Sequence, residues 1–188
     1  TATGSARAAA PSPEAVFKLN GEPSHCRWSL DAMASVAIQD AGGLVDLNTG
    51  ASDLLLRVLQ AAAGDRAKGE TLFAELQDFR DADTVLQGGG DEPATYPGRS
   101  YGPKNGPFAI AEELDQLPSM TEATFRALLP LTTASSQQPG VELTRAPSKL
   151  LALLGSDAQR FQSPSPGRVF RIDVMVELAN GTRYRRLA

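Results

Sequence analysis

The sequence predicts an α+β fold: one antiparallel sheet built from both ends of the chain, interrupted by an inserted all-helical domain. Three observations predict it. Segments near both ends alternate apolar and polar residues with period two. The middle repeats its apolar residues at helical spacing. Two similar phrases, "VDLNTGASDLLLRVL" and "VELTRAPSKLLALL", stand at the two borders of the helical part.

In chain order, residues 1–14 ("TATGSARAAAPSPE") read as a disordered lead. The first half of the sheet is expected within 15–44. "AVFKL" (Ala15 to Leu19) should end at the turn "NGEP", followed by "HCRWSL" (His25 to Leu30). "MASVAIQD" (Met33 to Asp40) then puts Ala34, Val36 and Ile38 on one face, and Gly42-Gly43 close the region. The helical domain is expected over 45–164. Ser52 is the predicted N-cap of a helix carrying Leu55, Val58, Leu59 and Ala62, stopped at Gly64-Asp65. A longer helix carries Leu72, Phe73, Leu76 and Phe79. "LQGGGDEPATYPGRSYGPKNGP" is a Gly/Pro-rich connection. Two short helices follow, one with Ile110, Leu114 and Leu117, the other with Phe125, Leu128 and Leu129, separated by Pro118. Ser148 to Leu154 is the last helix.

The second half of the sheet is expected over 165–188. Phe170, Ile172, Val174, Val176 and Leu178 share one face, and Arg171, Asp173 and Glu177 the other. Asn180-Gly181 supplies the hairpin turn, and "RYRRL" returns as the last strand.

The two phrases align without a gap. Val45 matches Val141, Asp46 matches Glu142, Leu47 matches Leu143, Ser52 matches Ser148, and Leu54-Leu55 match Leu150-Leu151. Each is an extended step, a turn, a serine cap and an apolar helix. The reading is a pair of entry and exit pieces docking into one helical core; chance likeness of leucine-rich helix starts is the competing one.

Composition narrows the function. A formal net charge of −4 and a pI of about 5.1 argue against a nucleic-acid binder. The single cysteine, Cys26, is read as a small core residue, and the single histidine, His25, as a strand or surface residue. "QGGGDE" follows no strand and is not a phosphate loop. No apolar run is long enough to span a membrane. "EELDQLPSMTEATFRALL" has the outline of a DNA-binding helix-hairpin-helix, the alternative function. Its hairpin lacks glycine and places Glu122 where a phosphate would sit, so it reads as packing. Glu112 and Asp115 are expected to be solvated and not a glycosidase pair.

The densest acidic cluster is "DFRDAD", with two more acids beyond the Gly loop. Asp78, Asp81, Asp83, Asp91 and Glu92 could gather around one or two Ca²⁺ ions, which take six to eight oxygen ligands. Acids at a helix C-terminus need a positive partner against the macrodipole. A solvated acidic face, or ion pairs with Arg80 or Arg99, would meet the same need.

"QDAGGLVDLNTGASDLLLRVL", "LQDFRDADT", "YGPKNGPFAIAEELDQLPSMTEATFRALLPLTT" and then the second copy resemble, in that order, the K subunit of the type II secretion system, the large minor pseudopilin of the general secretion pathway. The resemblance runs from about Ala37 to Leu187. It departs at Phe79, where a Trp is common, at Gly50, and in the Gly-rich loop after Asp83. It implies a pilin-like sheet with the helical domain inserted, and a calcium-binding helical domain. It also implies an N-terminal membrane helix of which residues 1–14 would be at most a remnant, making this a periplasmic fragment of an inner-membrane protein of a Gram-negative bacterium. It implies a non-enzymatic role at the pseudopilus tip, with the I and J subunits, possibly H, as partners in protein export and no nucleic acid.

Overall fold

The structure is a computed structural model that describes residues 17–82 and 102–188. It is an α+β fold in which an antiparallel sheet is interrupted by helices. The sheet has four strands in the order β1 (Asn20–Ser29), β2 (Ala32–Asp40), β5 (Phe170–Leu178) and β6 (Arg183–Leu187). Between β2 and β5 the chain forms β3 (Val45–Asp46), α1 (Ser52–Ala63), α2 (Arg66–Arg80), a 3₁₀ helix (Ala111–Gln116), α3 (Glu122–Leu128), β4 (Thr132–Thr133) and α4 (Ser148–Leu154). Asp40 is paired with Phe170, so the helical part leaves and rejoins the sheet on adjacent strands.

The helices pack around one apolar core. Leu54, Leu76, Phe79, Leu114, Leu117, Leu128, Leu150 and Leu154 are completely buried. The helical spacings place them there: Leu72, Leu76 and Phe79 form the inner stripe of α2, with Phe73 at its margin. Phe79, where a Trp is common, tilts against Phe108 with ring centroids 4.7 Å apart. That spacing is normal for a stacked aromatic pair. Ile110 departs from expectation, being 56% exposed just before the 3₁₀ helix. No described helix is long and apolar enough to cross a membrane.

The sheet sorts its residues by face. The β2–β5 register sets Ala34 opposite Val176, Val36 opposite Val174 and Ile38 opposite Ile172, so the middle of one face is apolar, with Asp40 at its end and Arg186 of β6 beside Val174. The other carries Arg171, Asp173 and Glu177 from β5, with Arg183 and Arg185 from β6. The β5–β6 hairpin closes through a three-residue loop, Ala179 to Gly181, in which only Gly181 takes a positive φ (82°). Asn180 instead accepts from the Thr182 amide with its side chain.

Several local expectations are corrected. "NGEP" is not a turn between two strands. It opens a single strand β1, whose register slips between Asn20 and Pro23. Cys26 is exposed, because β1 is an edge strand and its side chain meets no opposing layer among the described residues. Neither Ser52 nor Ser148 caps its helix. Both sit at the first helical position, and the caps are Ala51 and Pro147, which make no side-chain cap bond. Asp65 and Thr121 are the side-chain caps, accepting from the amides of Lys68 and Thr124.

Candidate functional site

The repeated phrase is a structural repeat. Val45 and Val141 are both fully buried, and each makes a parallel pairing, with Thr132 and Gln162 respectively. The matched acids do the same local work. Asp46 Oδ1 accepts from the amides of Asn48 (2.8 Å) and Thr49 (2.9 Å), and Glu142 Oε1 accepts from the Thr144 amide (3.3 Å). Each acid thus folds its own turn two residues on, as an Asx-type turn does. Burial works against ionisation of Glu142, but hydrogen bonds from Thr144 and Gln162 outweigh it and hold its carboxyl below the usual range.

The first copy has become a hub. The other Asp46 oxygen accepts from Ser136 Oγ (3.0 Å) and the Gln137 amide (2.9 Å). Asn48 binds Phe108 on both sides, donating to its carbonyl (2.9 Å) and accepting from its amide (2.8 Å). Arg80, at the end of α2, donates to the carbonyls of Leu47 (2.6 Å) and Asn48 (3.0 Å). Its half-burial lowers the guanidinium pKa, against the attraction of Asp46 and Asp81. Gly50 belongs to the same turn: a Cβ there would lie 2.4 Å from the Asp46 carbonyl oxygen, which no larger residue could tolerate without a shift.

A second hub joins the helical part to the sheet. Asp40, fully buried at the end of β2, accepts from the Gly42 amide (2.8 Å), from Ser165 Oγ (2.9 Å) and from Arg145. Gln39 beside it donates to the Arg145 carbonyl (2.9 Å). Entry, second copy and exit are therefore tied at one carboxylate. Gly43 permits this approach, since a Cβ there would lie 2.1 Å from the Arg145 carbonyl oxygen. The sequence reading missed both hubs. An acid two residues before Asn-Thr was the available signal for Asp46. Nothing local announced Arg145 or Ser165 as partners of Asp40, because they lie more than a hundred residues away.

Of the predicted calcium ligands, Asp78 and Asp81 are described. Asp78 is 5% exposed near the end of α2, and Asp81 is the C-terminal cap residue, its amide donating to the Gln77 carbonyl (3.0 Å). Neither stands free of partners. Asp83, Asp91 and Glu92 lie outside the described residues, as does "QGGGDE". Among the described residues no group of three or more His, Cys, Asp or Glu gathers to hold a metal. The two described carboxylates are hard oxygen donors on adjacent turns, the right chemistry for Ca²⁺ but too few to enclose it.

The other candidates are placed plainly. Glu112 and Asp115 are both exposed, His25 lies exposed in β1, and Leu114, Leu117 and Leu128 anchor the helices flanking the would-be DNA hairpin in the core, while Ser119, Thr121 and Glu122 of the hairpin stay exposed. Apart from Ile110, the large apolar side chains left exposed are mostly on the sheet or beside it: Phe170 (39%), Ile172 (38%) and Tyr184 (63%) on the apolar face, Met33, Met175 and Leu187 on the other, and Trp28 (78%) and Leu30 (91%) at the β1–β2 end.

Comparison with known proteins agrees with this arrangement. The chain is similar over 88% of its length to a chain in the crystal structure of the GspK-GspI-GspJ complex from the enterotoxigenic Escherichia coli type 2 secretion system. The likeness has a TM-score of 0.60 at 18% identity and spans 77% of that chain. A search of curated proteins gave no match. The family described as type II secretion system (T2SS), protein K, matches residues 33–137, more than half of the chain, and the chain belongs to that family.

Proposed function

We propose that this chain is the periplasmic part of a minor pseudopilin that works, without catalysing a reaction, at the tip of the type II secretion pseudopilus. The observation that carries the reading is the unequal finish of its two parts. The helices close their own core, whereas the sheet leaves an apolar face half-open, with Phe170 and Ile172 each more than a third exposed. A sheet must cover such a face. In this reading the chain's own N-terminal membrane helix and its sibling I and J subunits, possibly with H, supply the cover. The helical unit, 45–164, is inserted in a discontinuous sheet domain, 15–44 and 165–188. Its bulk above the sheet leaves no room for a further subunit, so the fibre begins or ends there.

The test is association. The chain, mixed with the periplasmic parts of the I and J subunits, should sediment as a ternary species. Ile172→Asp on the apolar face should dissolve it without shifting the melting point of the helical core. Three separate species in the parent mixture would overturn the reading.

Calcium belongs to the same proposal. Asp78 and Asp81 at the end of α2, with Asp83, Asp91 and Glu92, would supply carboxylate oxygens to one or two Ca²⁺ ions, whose charge would offset five like charges near a helix C-terminus. The support is the choice of residue types and their position. Millimolar Ca²⁺ should raise the melting point over that in excess EDTA, and the D81N/D83N double variant should lose that rise. An unchanged midpoint in the parent, with no metal by elemental analysis, leaves a solvated acidic loop.

A further inference from the structure

The two edges of the sheet are guarded in different ways. An unpaired strand edge presents a row of free N–H and C=O groups that any extended segment can join, and proteins blunt such edges with bulges, Pro or charge. The β1 edge has bulges: its register is irregular between Asn20 and Pro23 and again between Arg27 and Ser29, and Pro23 lacks an N–H. The β6 edge has neither device. Its register against β5 runs unbroken from Asp173↔Leu187 to Glu177↔Arg183, and all five of its residues are exposed.

The direction of its free groups follows from the pairing. Ala188 and Ile172 exchange both backbone bonds, and the Leu178 amide donates to the Thr182 carbonyl. In an antiparallel ladder the exchanging pairs recur every second residue. Tyr184 and Arg186 therefore turn their backbone groups toward β5. Arg183, Arg185 and Leu187 turn theirs outward.

Only charge guards this edge, and charge discriminates. The strand "RYRRL" holds three arginines and no acid in a chain of formal net charge −4. Beside it, a cleft of about 370 Å³ opens between the polar face of the sheet and the end of α3, lined by three arginines (Arg126, Arg171, Arg185) and two acids (Glu112, Asp173), with Leu187 at its edge. Arg185 is paired with Asp173 (2.5 Å), Arg183 with Glu177 (3.2 Å) and Arg126 with Glu122 (2.6 Å). Arg171 is half-buried and attracts the Asp173 carboxylate electrostatically. A second copy paired antiparallel at this edge would bring arginines against arginines, which opposes cross-strand pairing. An acidic strand meets the opposite situation.

We propose that the β6 edge, with the Arg171 cleft beside it, is a docking site for an extended acidic segment of a partner protein, added as a fifth strand. Backbone bonds to Arg183, Arg185 and Leu187 give the attachment, and the arginines select the charge. The proposal concerns a surface that the tip assignment does not use and stands apart from it.

The test uses a capped octapeptide alternating Glu and Val, with a Lys-and-Val octapeptide as control. Amide hydrogen exchange in the 188-residue chain reads the edge directly. The acidic peptide should slow exchange at Arg183, Arg185 and Leu187 by about tenfold or more and leave Tyr184 and Arg186, already bonded to β5, nearly unchanged. The lysine peptide should slow none of them. Protection by the acidic peptide should fade as salt rises from about 0.05 M to 0.5 M. Arg185→Pro removes an outward N–H and the ion pair with Asp173 but no backbone bond to β5, so it should abolish the effect with the β5 amides still protected. Arg171→Gln, which removes a charge from the cleft and leaves the β6 backbone untouched, should weaken it if Arg185→Pro unsettles the hairpin. No protection with the acidic peptide, equal protection with the lysine peptide, or an effect that survives both variants would overturn the proposal.

Discussion

The helical part and the sheet of one chain are finished to different degrees. In the helical part, side chains such as Leu54, Leu76, Leu114 and Leu150 retain no exposed surface. In the sheet, the largest apolar residues of the inward-patterned face, Phe170 and Ile172, keep 39% and 38%. Both segments have the periodicity of a buried element. The helices pack against one another around a shared core, whereas each strand meets chiefly its neighbours in the plane of the sheet. Periodicity states which face an element intends to bury; it does not state that the cover is present. The half-open sheet is a face patterned for a second layer, whereas the helical part closes its core with its own side chains.

The sharpest way to break this comparison is to truncate one residue in each region. Leu76→Ala, in the closed core, should cost about 3 kcal/mol, transfer loss and cavity together. Ile172→Ala should cost less than about 1.5 kcal/mol, because over a third of that side chain is already in water. Urea denaturation of both variants measures the difference. Equal losses would mean that the apolar face is as well packed as the core, and the contrast would disappear.

The junction comes next in size. Asp40 is fully buried while its partner Arg145 is about one-third exposed, so removing the arginine leaves a buried carboxylate with only the Gly42 amide and Ser165. Arg145→Ala should cost about 2 kcal/mol, below the range for fully buried pairs because water can reach the site. Asp40→Asn keeps the shape and loses the charge. The double variant should recover part of the sum, with a coupling of about 1 kcal/mol or more. Additive losses would show that the two residues support the junction independently, and that entry and exit are not tied through their pairing.

Legibility in the sequence followed the range of the interactions. The strands β2 and β5, the four α-helices and the core residues of α2 could be read, because period and length are local. The repeated phrase could be read as a repeat: its two valines both pair in parallel and its two acids both fold the turn that follows, whereas Leu47 is buried and Leu143 only partly so. Its serines misled: Ser52 and Ser148 have a capping side chain, yet the preceding Ala51 and Pro147 take the extended cap conformation, one residue earlier than propensity alone places it. Cys26 and Trp28 misled in another way. Alternation in β1 suggested a buried face, and β1 proved to be an edge strand with no cover among the described residues. The hubs at Asp40 and Asp46 were hidden because their partners are distant in sequence, and a carboxylate that organises a turn looks, as text, like any surface acid.

The smallest expected effect sits on the polar side of the sheet and asks whether β6 is held by its ladder or by its charges. Hydrogen bonding from Arg185 holds the Asp173 carboxyl below the usual aspartate range. Partial burial opposes the shift, and the charges of Arg185 and Arg171 add to it. A carboxyl depressed in the folded state contributes stability above its unfolded pKa of about 3.9, and that contribution is lost as pH falls through the folded value. The window therefore lies below about pH 4. Arg185 is well exposed, so the pair is screened by water and salt, and Arg185→Gln should lower the melting point at pH 7 by only about one or two degrees. Parent and variant should converge as the pH is lowered toward about 2, where Asp173 is protonated in both. The carboxyl titration of Asp173 followed by NMR should move upward in the variant over the same range. A gap that persists unchanged at low pH would assign the loss to the arginine's aliphatic packing on the sheet, and β6 would then be held by its ladder and by contact, with its charges left free to face a partner.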